Sequence, residues 1–229
     1  MVAPAHQFPT GAVLAAGRRT ALIDWAASHR SLIIEDDYDA EFRYDRVPIG
    51  AVQGLDPGRV AHVGTASKTL APGVRLGWMS LPADLVDEVR TRKGLIDSGS
   101  PAFDQIALAQ FLSTGDYDRH IARARLAYRR RRDRLVETLT NELPGLPIRG
   151  AAAGMHVLLV LPADVDDVAI AATAASSGIS VQALSPLYTT PEPERGLLLG
   201  YGRLPEARIQ PAVRALASLL TDAGATERA

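Results

Sequence analysis

Two short apolar runs constrain the fold of this chain more than any other feature: Leu32–Ile34 and Val60–Val63 each stop abruptly at small polar or charged residues. Short β-branched runs bounded by turn-forming residues are typical of buried strands in an α/β sheet. Open α/β sheets bind ligands at strand ends, so we expect the polar residues after the two runs to share one cleft. The first run leads into Glu35, Asp36, Asp37 and Tyr38, and the second leads into Thr65, Ala66, Ser67 and Lys68.

These side chains suit the chemistry of pyridoxal 5′-phosphate (PLP). A lysine near a protein interior loses part of its preference for the charged form and becomes a nucleophilic amine that forms Schiff bases with carbonyl compounds. PLP also needs an acid beside its pyridine nitrogen, and hydrogen-bond donors with a cation around its phosphate. Asp36 is a candidate for the first role, and Thr65, Ser67 and Arg75 are candidates for the second.

The same stretch resembles the active-site core of fold type I PLP enzymes, the aspartate aminotransferase superfamily. Its segments EDDYDAEFRY and GTASKTLAPGVRLGW are similar to the aminotransferase-like domain of MocR-type (GntR family) transcription regulators. The leading PAHQFPTG and the closing GLLLGYGRLPEARI fit the same subfamily, so the resemblance extends from about Pro4 to about Leu220.

Matched by position, the resemblance implies one role for each candidate residue. Lys68 corresponds to the Schiff-base lysine, Asp36 to the partner of the pyridine nitrogen, and Tyr38 to the phenol that contacts the 3-hydroxyl oxygen of the cofactor. The phosphate ligands correspond to Thr65, Ser67 and Arg75.

Each candidate also has a simpler interpretation. An isolated lysine such as Lys68 is usually a solvent-facing loop residue, and Asp36 is equally compatible with a helix cap or a turn. Tyr38 is compatible with packing alone. Only family position favours Asp36 over the adjacent Glu35 and Asp37.

The resemblance further implies a partial PLP-dependent transferase fold of the α/β class. We expect a partial large PLP-binding domain over residues 1–95, connecting helices over 96–143 and a small C-terminal α/β domain over 144–229. Aminotransferase domains of this type are longer, and MocR regulators carry a DNA-binding head before them. The chain is therefore expected to be a C-terminal fragment that lacks the glycine-rich phosphate turn and the aromatic residue that stacks on the cofactor.

Periodicity predicts the remaining elements. The pattern is helical from residue 83 to residue 140, and individual helices are predicted over residues 12–29, 103–111, 118–140, 165–176 and 207–223. Further strands are predicted over residues 76–81, 156–161, 179–183 and 195–201.

Composition excludes several classes of function. The chain has no cysteine, so it has neither disulfides nor thiolate metal sites, and its five histidines lack metal-ligand spacing. No run reaches membrane-spanning length and no signal peptide is recognisable, which predicts a cytoplasmic protein without a membrane partner. The net charge is −1, and the arginines at 129–132 lie at helical spacing, so we interpret them as a solvated face and expect no direct nucleic-acid binding.

One departure from the resemblance concerns the substrate. Aminotransferases hold the α-carboxylate with an arginine on a strand of the small domain, where this chain has Leu197–Leu199. Arg195 and Arg203 flank this position but do not match it by register. Since leucine cannot replace a bidentate guanidinium, recognition of an ordinary amino acid is in doubt.

Three functions remain open from the sequence. The first is a PLP-binding domain that transaminates a small amine or amino acid through Lys68. The second is a non-catalytic effector-sensing domain of a MocR/GntR-type regulator without its DNA-binding head. The third is a truncated product that binds the cofactor weakly or not at all. The resemblance also implies a homodimer.

Overall fold

The computed structural model describes residues 1–44 and 50–225, and the chain divides into two units. Unit 1 comprises Met1–Gln7, Val13–Glu41 and Arg46–Ala124. Unit 2 comprises Phe8–Ala12, Phe42–Asp45 and Arg125–Ala229. Within the described residues, no helix combines the length and the apolar character that crossing a bilayer requires.

Unit 1 is built on a three-stranded sheet in the order β1-β2-β3, in which β1 and β2 are parallel and β3 is antiparallel to β2. Its strands are β1 (Ile33–Asp37), β2 (Val60–Thr65) and β3 (Gly77–Ser80). Its helices are α1 (Ala16–Ser28), α2 (Val86–Asp97), α3 (Ala102–Ser113) and the first residues of α4 (Asp116–Glu142).

One face of this sheet packs on the apolar core of unit 1. The core consists of four buried residues, Ala26, Ile33, Val52 and Val60, with Val2, Leu22 and Ile23 packed around them. The prediction that the first apolar run is buried throughout is wrong, because Leu32 is 45% exposed and Ile34 is 39% exposed. Side chains alternate between the two faces of a strand, so only Ile33 reaches the core.

Unit 2 contains a four-stranded antiparallel sheet in the order β4-β5-β7-β6. Its strands are β4 (Ile148–Arg149), β5 (His156–Val160), β6 (Gln182–Ala183) and β7 (Gly196–Gly200). The rest of α4 belongs to this unit, together with α5 (Asp167–Ser176) and α6 (Glu206–Asp222). The buried side chains of Leu158, Leu184 and Leu198 form a core cluster on this sheet.

A single buried carboxylate joins three segments of unit 2. Asp167, at the start of α5, accepts hydrogen bonds from the backbone N–H groups of Leu184 (3.1 Å), Ser185 (2.8 Å) and Gly196 (3.2 Å). It also accepts bonds from the Ser185 hydroxyl (2.6 Å) and the Arg195 guanidinium (3.2 Å). The side chain is fully buried, so these donors replace the water that its charge would otherwise require.

The predicted helices and strands are confirmed, with shifted ends and two omissions. α1 begins at Ala16 rather than residue 12, because the preceding segment is extended and the Leu14 N–H donates to the Pro4 carbonyl (2.9 Å). The sequence did not separate α2 from the helical region that follows it. It also missed β4, whose two residues are too few to show periodicity.

Candidate functional site

The three consecutive carboxylates of the predicted cleft lie inside β1, not after it, and they divide between the two faces of the strand. Glu35 and Asp37 project to the same face as Ile33, while Asp36 projects to the opposite face with Ile34. This alternation gives adjacent acids different surroundings. It also removes the interpretation of Asp36 as a helix cap or turn residue.

Glu35 is fully used by the fold. Its side chain is buried, and its two oxygens accept hydrogen bonds from the backbone N–H groups of Val52 (2.8 Å) and Gln53 (2.9 Å). These two donors open the 3-10 helix Val52–Gly54, whose first N–H groups have no partner within the helix. Glu35 is therefore a structural carboxylate.

Asp37 is also engaged within the chain. One carboxylate oxygen accepts a hydrogen bond from the Ala40 N–H (3.1 Å), and the other lies 3.2 Å from Nε2 of His62. His62 lies on the neighbouring strand β2, where the register pairs it with Glu35. The pairing fixes Asp37 on the face opposite to Asp36.

Asp36 differs from both neighbours because, within the described residues, its carboxylate has no hydrogen-bond or ion-pair partner in the chain. The side chain is half-buried, and burial together with the negative charge of Asp37 raises the pKa of this carboxyl. The β1–β2 register pairs Asp36 with Val63, so Thr65, two residues further along β2, projects to the same face. Asp36 is therefore a half-buried carboxylate that the described part of the chain leaves unpaired.

Tyr38 follows β1 directly and is held by a main-chain group. Its hydroxyl donates a hydrogen bond to the carbonyl oxygen of His6 at 2.7 Å. Burial, and then the negative charges of Asp39 and Asp36, raise the pKa of the phenol well above its usual range, so it stays protonated. Tyr38 therefore does more than pack.

The turn after β2 presents the candidate lysine and two hydroxyls. The Thr65 hydroxyl donates to the Leu76 carbonyl (3.2 Å) and accepts from the Ser67 N–H (3.1 Å). The expectation that Lys68 lies near the protein interior is wrong, because its side chain is exposed. In the part of the chain that the structure describes, its amino group makes neither a hydrogen bond nor an ion pair. Burial raises the pKa of the Asp39 carboxyl, and the hydrogen bond and charge of His6 oppose this rise more than the charge of Lys68 does.

Arg75 lies at the end of the following 3-10 turn, Pro72–Val74, in the left-handed conformation with φ of 51°. Its guanidinium is exposed and has no hydrogen-bond or ion-pair partner among the described residues. Together with Trp78 and Lys93 it lines a cavity of about 480 Å³.

Asp36 and Tyr38 thus lie in and directly after β1, and Lys68 lies in the turn that follows β2, the parallel neighbour of β1. Thr65 and Ser67 form the adjoining turn. Sequence reasoning missed Asp39 and its buried partner His6, which lie 2.9 Å apart and 33 residues apart in the chain. Spacing gives no signal for such a pair, because only the fold brings the two segments together.

In unit 2, neither Leu198 nor Arg195 is available as the carboxylate-binding residue that related enzymes have on this strand. Leu198 in β7 is 5% exposed and belongs to the core cluster of this unit. Arg195 is bound to Asp167 as part of the buried carboxylate network. Leu198 is therefore an apolar core residue, and Arg195 already has an anionic partner.

Comparison with known proteins identifies relatives for almost the whole chain. The model of the family "Aminotransferase class I and II" matches residues 6–216. The chain is 40% identical over 215 residues, 93% of its length, to the HTH-type transcriptional regulator YhdI of Bacillus subtilis, of which it covers 46%. It is 35% identical over 202 residues, 88% of its length, to the HTH-type pyridoxine biosynthesis transcriptional regulator PdxR of Corynebacterium glutamicum, of which it covers 44%.

Among solved structures, an archaeal alanine:glyoxylate aminotransferase matches 96% of the chain with a TM-score of 0.90 and 30% identity. The chain covers 55% of that protein. It therefore spans about half the length of the proteins it matches, and these include both regulators and aminotransferases.

Proposed function

Because this chain belongs to the aminotransferase class I and II family, we propose that it binds PLP at the edge of the β1–β2 sheet, with Lys68 forming the Schiff base. PLP supplies an electrophilic aldehyde for amines and an aromatic ring that accepts electrons. The family uses this cofactor, and the residues of this edge have the chemistry to hold it.

One observation carries the proposal: the charged groups that PLP would need are those that the fold leaves without partners. Within the described residues, Asp36, Lys68 and Arg75 make no side-chain hydrogen bond or ion pair, while the neighbouring Glu35 and Asp37 are both engaged. A half-buried carboxylate without a donor in the chain is stabilised by water or by a cationic ligand. A protonated ring nitrogen beside Asp36 is such a ligand.

The remaining candidates provide hydrogen bonds of different kinds. The Ser67 hydroxyl and the Arg75 guanidinium are donors suited to a phosphate. Thr65 and Tyr38 already donate their protons to the carbonyls of Leu76 and His6. We therefore infer that these two either accept hydrogen bonds from the cofactor or exchange their present acceptors for it.

The experiment that tests the proposal uses the fact that the chain has only two lysines, Lys68 and Lys93. Lys93 is held by Asp97 (2.5 Å) and Ser100 (2.7 Å), so it serves as an internal control. After incubation with PLP and borohydride reduction, peptide mass mapping should find the phosphopyridoxyl group on Lys68. The Lys68→Ala variant should lose the visible absorbance of the Schiff base, and equal labelling of both lysines would contradict the assignment.

Two activities are compatible with this site, namely transamination and the sensing of an amine effector. The matches to HTH-type regulators at 40% and 35% identity favour sensing, as do the buried Leu198 and the engaged Arg195 in the strand expected to bind a substrate carboxylate. The similarity to an aminotransferase structure supports transamination. We propose a small amine or amino acid as the ligand in either case.

Product analysis separates the two activities. Transamination moves the amino group of the ligand to the cofactor and releases an oxo compound, which can be trapped with a hydrazine reagent. A sensor exchanges Lys68 for the ligand amine and releases no oxo compound. Stoichiometric oxo product from the PLP-loaded chain would establish transamination, and spectral change without it would establish sensing.

We further propose that the chain associates as a homodimer through α2 and α3. Most residues of helix α3 are apolar and none is buried, and its Phe103 and Ile106 are 87% and 65% exposed. Leu95 and Ile96 at the end of α2 are 81% and 85% exposed. A helix of this character is normally covered, and exposed apolar surface of this kind marks an interaction site.

Light scattering during size-exclusion chromatography tests the dimer. The Phe103→Asp substitution should shift the chain toward the monomer, while Gln110→Asp on the same helix serves as a control for added charge. A monomeric parent chain, or an unchanged mass in Phe103→Asp, would contradict the proposal.

A further inference from the structure

Thr69, the residue directly after Lys68, is held by two side chains of α4. Only 2% of its surface is exposed. The Tyr117 hydroxyl donates a hydrogen bond to Thr69 Oγ1 at 3.1 Å, and His120 Nε2 lies 2.8 Å from the Thr69 carbonyl oxygen. A carbonyl oxygen only accepts, so the Nε2 N–H of His120 is the donor. None of these three residues has a role in the proposed cofactor site.

Helical spacing and α3 place the two side chains of α4. Tyr117 and His120 are three residues apart, so they project from the same side of the helix. The ring of Phe111, on α3, packs against both of their rings, with centroid distances of 6.2 Å in each case. Burial raises the pKa of the Tyr117 phenol more than its hydrogen bond to Thr69 lowers it, so the hydroxyl keeps the proton that it donates. All of these residues belong to unit 1.

Thr69 transmits this support to the backbone on the other side of Lys68. Its hydroxyl donates to the Ala66 carbonyl at 3.3 Å, and the Leu70 N–H donates to the same carbonyl at 2.9 Å. The Thr69 hydroxyl therefore accepts one hydrogen bond and donates another, an arrangement in which each bond strengthens the next. Ala66 is fully buried, so the turn over residues 66–70 is anchored both before and after Lys68.

The side chain of Lys68 does not provide a restraint of its own. It is exposed, and within the described residues its amino group makes neither a hydrogen bond nor an ion pair. Because a lysine side chain is long and flexible, the region that its amine samples depends on the position of the backbone that carries it. The contacts made by Thr69 therefore limit where the Lys68 amine can go.

We propose that Tyr117 and His120 are positioning residues of the Lys68 site: acting through Thr69, they hold the 66–70 turn in the conformation that presents the Lys68 amine to the cofactor. This inference rests on the proposed function, in which Lys68 forms the Schiff base. Neither residue needs to touch the cofactor. Their loss should slow the reaction of Lys68 with an aldehyde that is bound in one orientation, but not its reaction with a reagent that needs no bound orientation.

Labelling of the two lysines with two reagents tests this role. Tyr117→Phe removes one hydroxyl and keeps the ring that packs against Phe111. With PLP and borohydride, the ratio of label on Lys68 to label on Lys93 should fall about fivefold or more, because loss of a hydrogen bond changes an equilibrium by about this factor. With acetic anhydride, which needs no bound orientation, the ratio should not change. An unchanged PLP ratio, or an equal fall with both reagents, would overturn the proposal.

A double-mutant cycle tests whether Tyr117 acts through Thr69. Thr69→Val removes the hydroxyl and keeps the branched shape, so its effect and that of Tyr117→Phe should not add. Additive effects would contradict the proposed route. Tyr201→Phe in unit 2, which loses a hydrogen bond to the Gly154 carbonyl (2.7 Å), controls for a general loss of stability. It should leave the PLP ratio unchanged, and a fall equal to that in Tyr117→Phe would make the effect merely structural.

His120 provides a second test, which needs neither the cofactor nor a folded Tyr117→Phe variant. His120→Gln keeps an N–H donor for the Thr69 carbonyl, whereas His120→Met has a similar length and no donor. Hydrogen exchange of the Leu70 N–H, measured by NMR, should be about fivefold faster in His120→Met and close to the parent rate in His120→Gln. Equal exchange rates in all three proteins would show that His120 does not hold the turn.

The outcomes separate this inference from the proposed function. If PLP shows no preference for Lys68 in the parent chain, the proposed function fails and the inference falls with it. If PLP prefers Lys68 in the parent chain and prefers it equally in Tyr117→Phe and His120→Met, only the positioning role fails.

Discussion

Glu35 and Asp36 are consecutive residues of β1, yet their carboxylates differ. The Glu35 carboxylate accepts hydrogen bonds from two backbone N–H groups, while the Asp36 carboxylate accepts none within the described residues. Successive side chains of a strand point to opposite faces, so these two neighbours project to opposite faces of the sheet. The pair therefore offers a direct comparison between a structural carboxylate and one that we propose binds the cofactor.

Substitution of each carboxylate by its amide should separate stability from ligand binding. Glu35→Gln should lower the free energy of unfolding by about 1–3 kcal/mol, because two buried N–H groups lose a charged acceptor. Asp36→Asn should change it by less than about 0.5 kcal/mol but weaken PLP binding at least about tenfold, because the ring nitrogen loses its anionic partner. Urea unfolding and absorbance titration with PLP measure the two effects.

One result with these two variants would contradict the assignment of Asp36 to the cofactor. If Asp36→Asn destabilises the chain as much as Glu35→Gln and leaves PLP binding unchanged, Asp36 is a structural residue. The assignment of the carboxylate at the ring nitrogen would then be wrong.

Arg19 should be far less tolerant of substitution than its neighbour Arg18. Its buried guanidinium donates to the carbonyls of Leu14 (2.9 Å), Gly50 (2.6 Å) and Pro4 (3.2 Å), which ties three segments of unit 1 together. Arg19→Lys should lower the free energy of unfolding by about 2–4 kcal/mol, because an ammonium cannot reproduce the planar fork. Arg18→Lys, at an exposed position in the same helix, is the matched control and should have no measurable effect in thermal unfolding.

Asp167 should make the stability of unit 2 depend on acid. Burial alone would raise the pKa of this carboxyl, but the hydrogen bonds from Ser185, Gly196 and Arg195 outweigh it and lower the pKa below its usual value. A carboxyl with a lowered pKa in the folded state contributes stability above its unfolded pKa of about 3.9, and this contribution disappears as the pH falls through the folded pKa.

The measurement is the free energy of unfolding as a function of pH in the parent chain and in Asp167→Asn. The parent should lose stability progressively below about pH 4, and the variant should be less stable at neutral pH with a flatter dependence below that point. An identical acid dependence in the two proteins would show that Asp167 does not govern it.

The two glycines at the ends of β7 should respond differently to an added methyl group. A Cβ at Gly196 would lie 2.9 Å from the carbonyl oxygen of Leu159 and 2.9 Å from a methyl carbon of Leu158, whereas a Cβ at Gly200 would meet nothing within 4 Å. Gly196→Ala should therefore lower the free energy of unfolding by about 1–3 kcal/mol, and Gly200→Ala by less than about 0.5 kcal/mol. Chemical denaturation of both variants measures the difference, and equal values would mean that the strand relaxes around the new side chain.

Much of the fold was predictable because it depends on local patterns. The runs at Leu32 and Val60 predicted two neighbouring strands, and helical periodicity predicted α4 and α6, whose apolar faces repeat over many residues. The segments around Asp36 and Lys68 resemble the active-site motifs of the family, and the match to the family model over residues 6–216 confirms that identification.

The individual functions of adjacent acids were not predictable from sequence. Glu35, Asp36 and Asp37 have nearly the same chemistry, and only the direction of each side chain from the sheet decides which one is saturated. The sequence did not predict the exposure of Ile34 for the same reason, because the residues of an apolar run do not indicate which face of the strand the core will cover.

The sequence by itself determined the family, the α/β class and the candidate groups of the site, because these depend on which residues follow which. Only the tertiary structure decided that His6 lies against Asp39 and that Asp36 keeps no partner among the described residues. The physical reason is that hydrogen bonds between distant segments depend on strand register and on the exclusion of water, and neither is encoded in the spacing of residues along the chain.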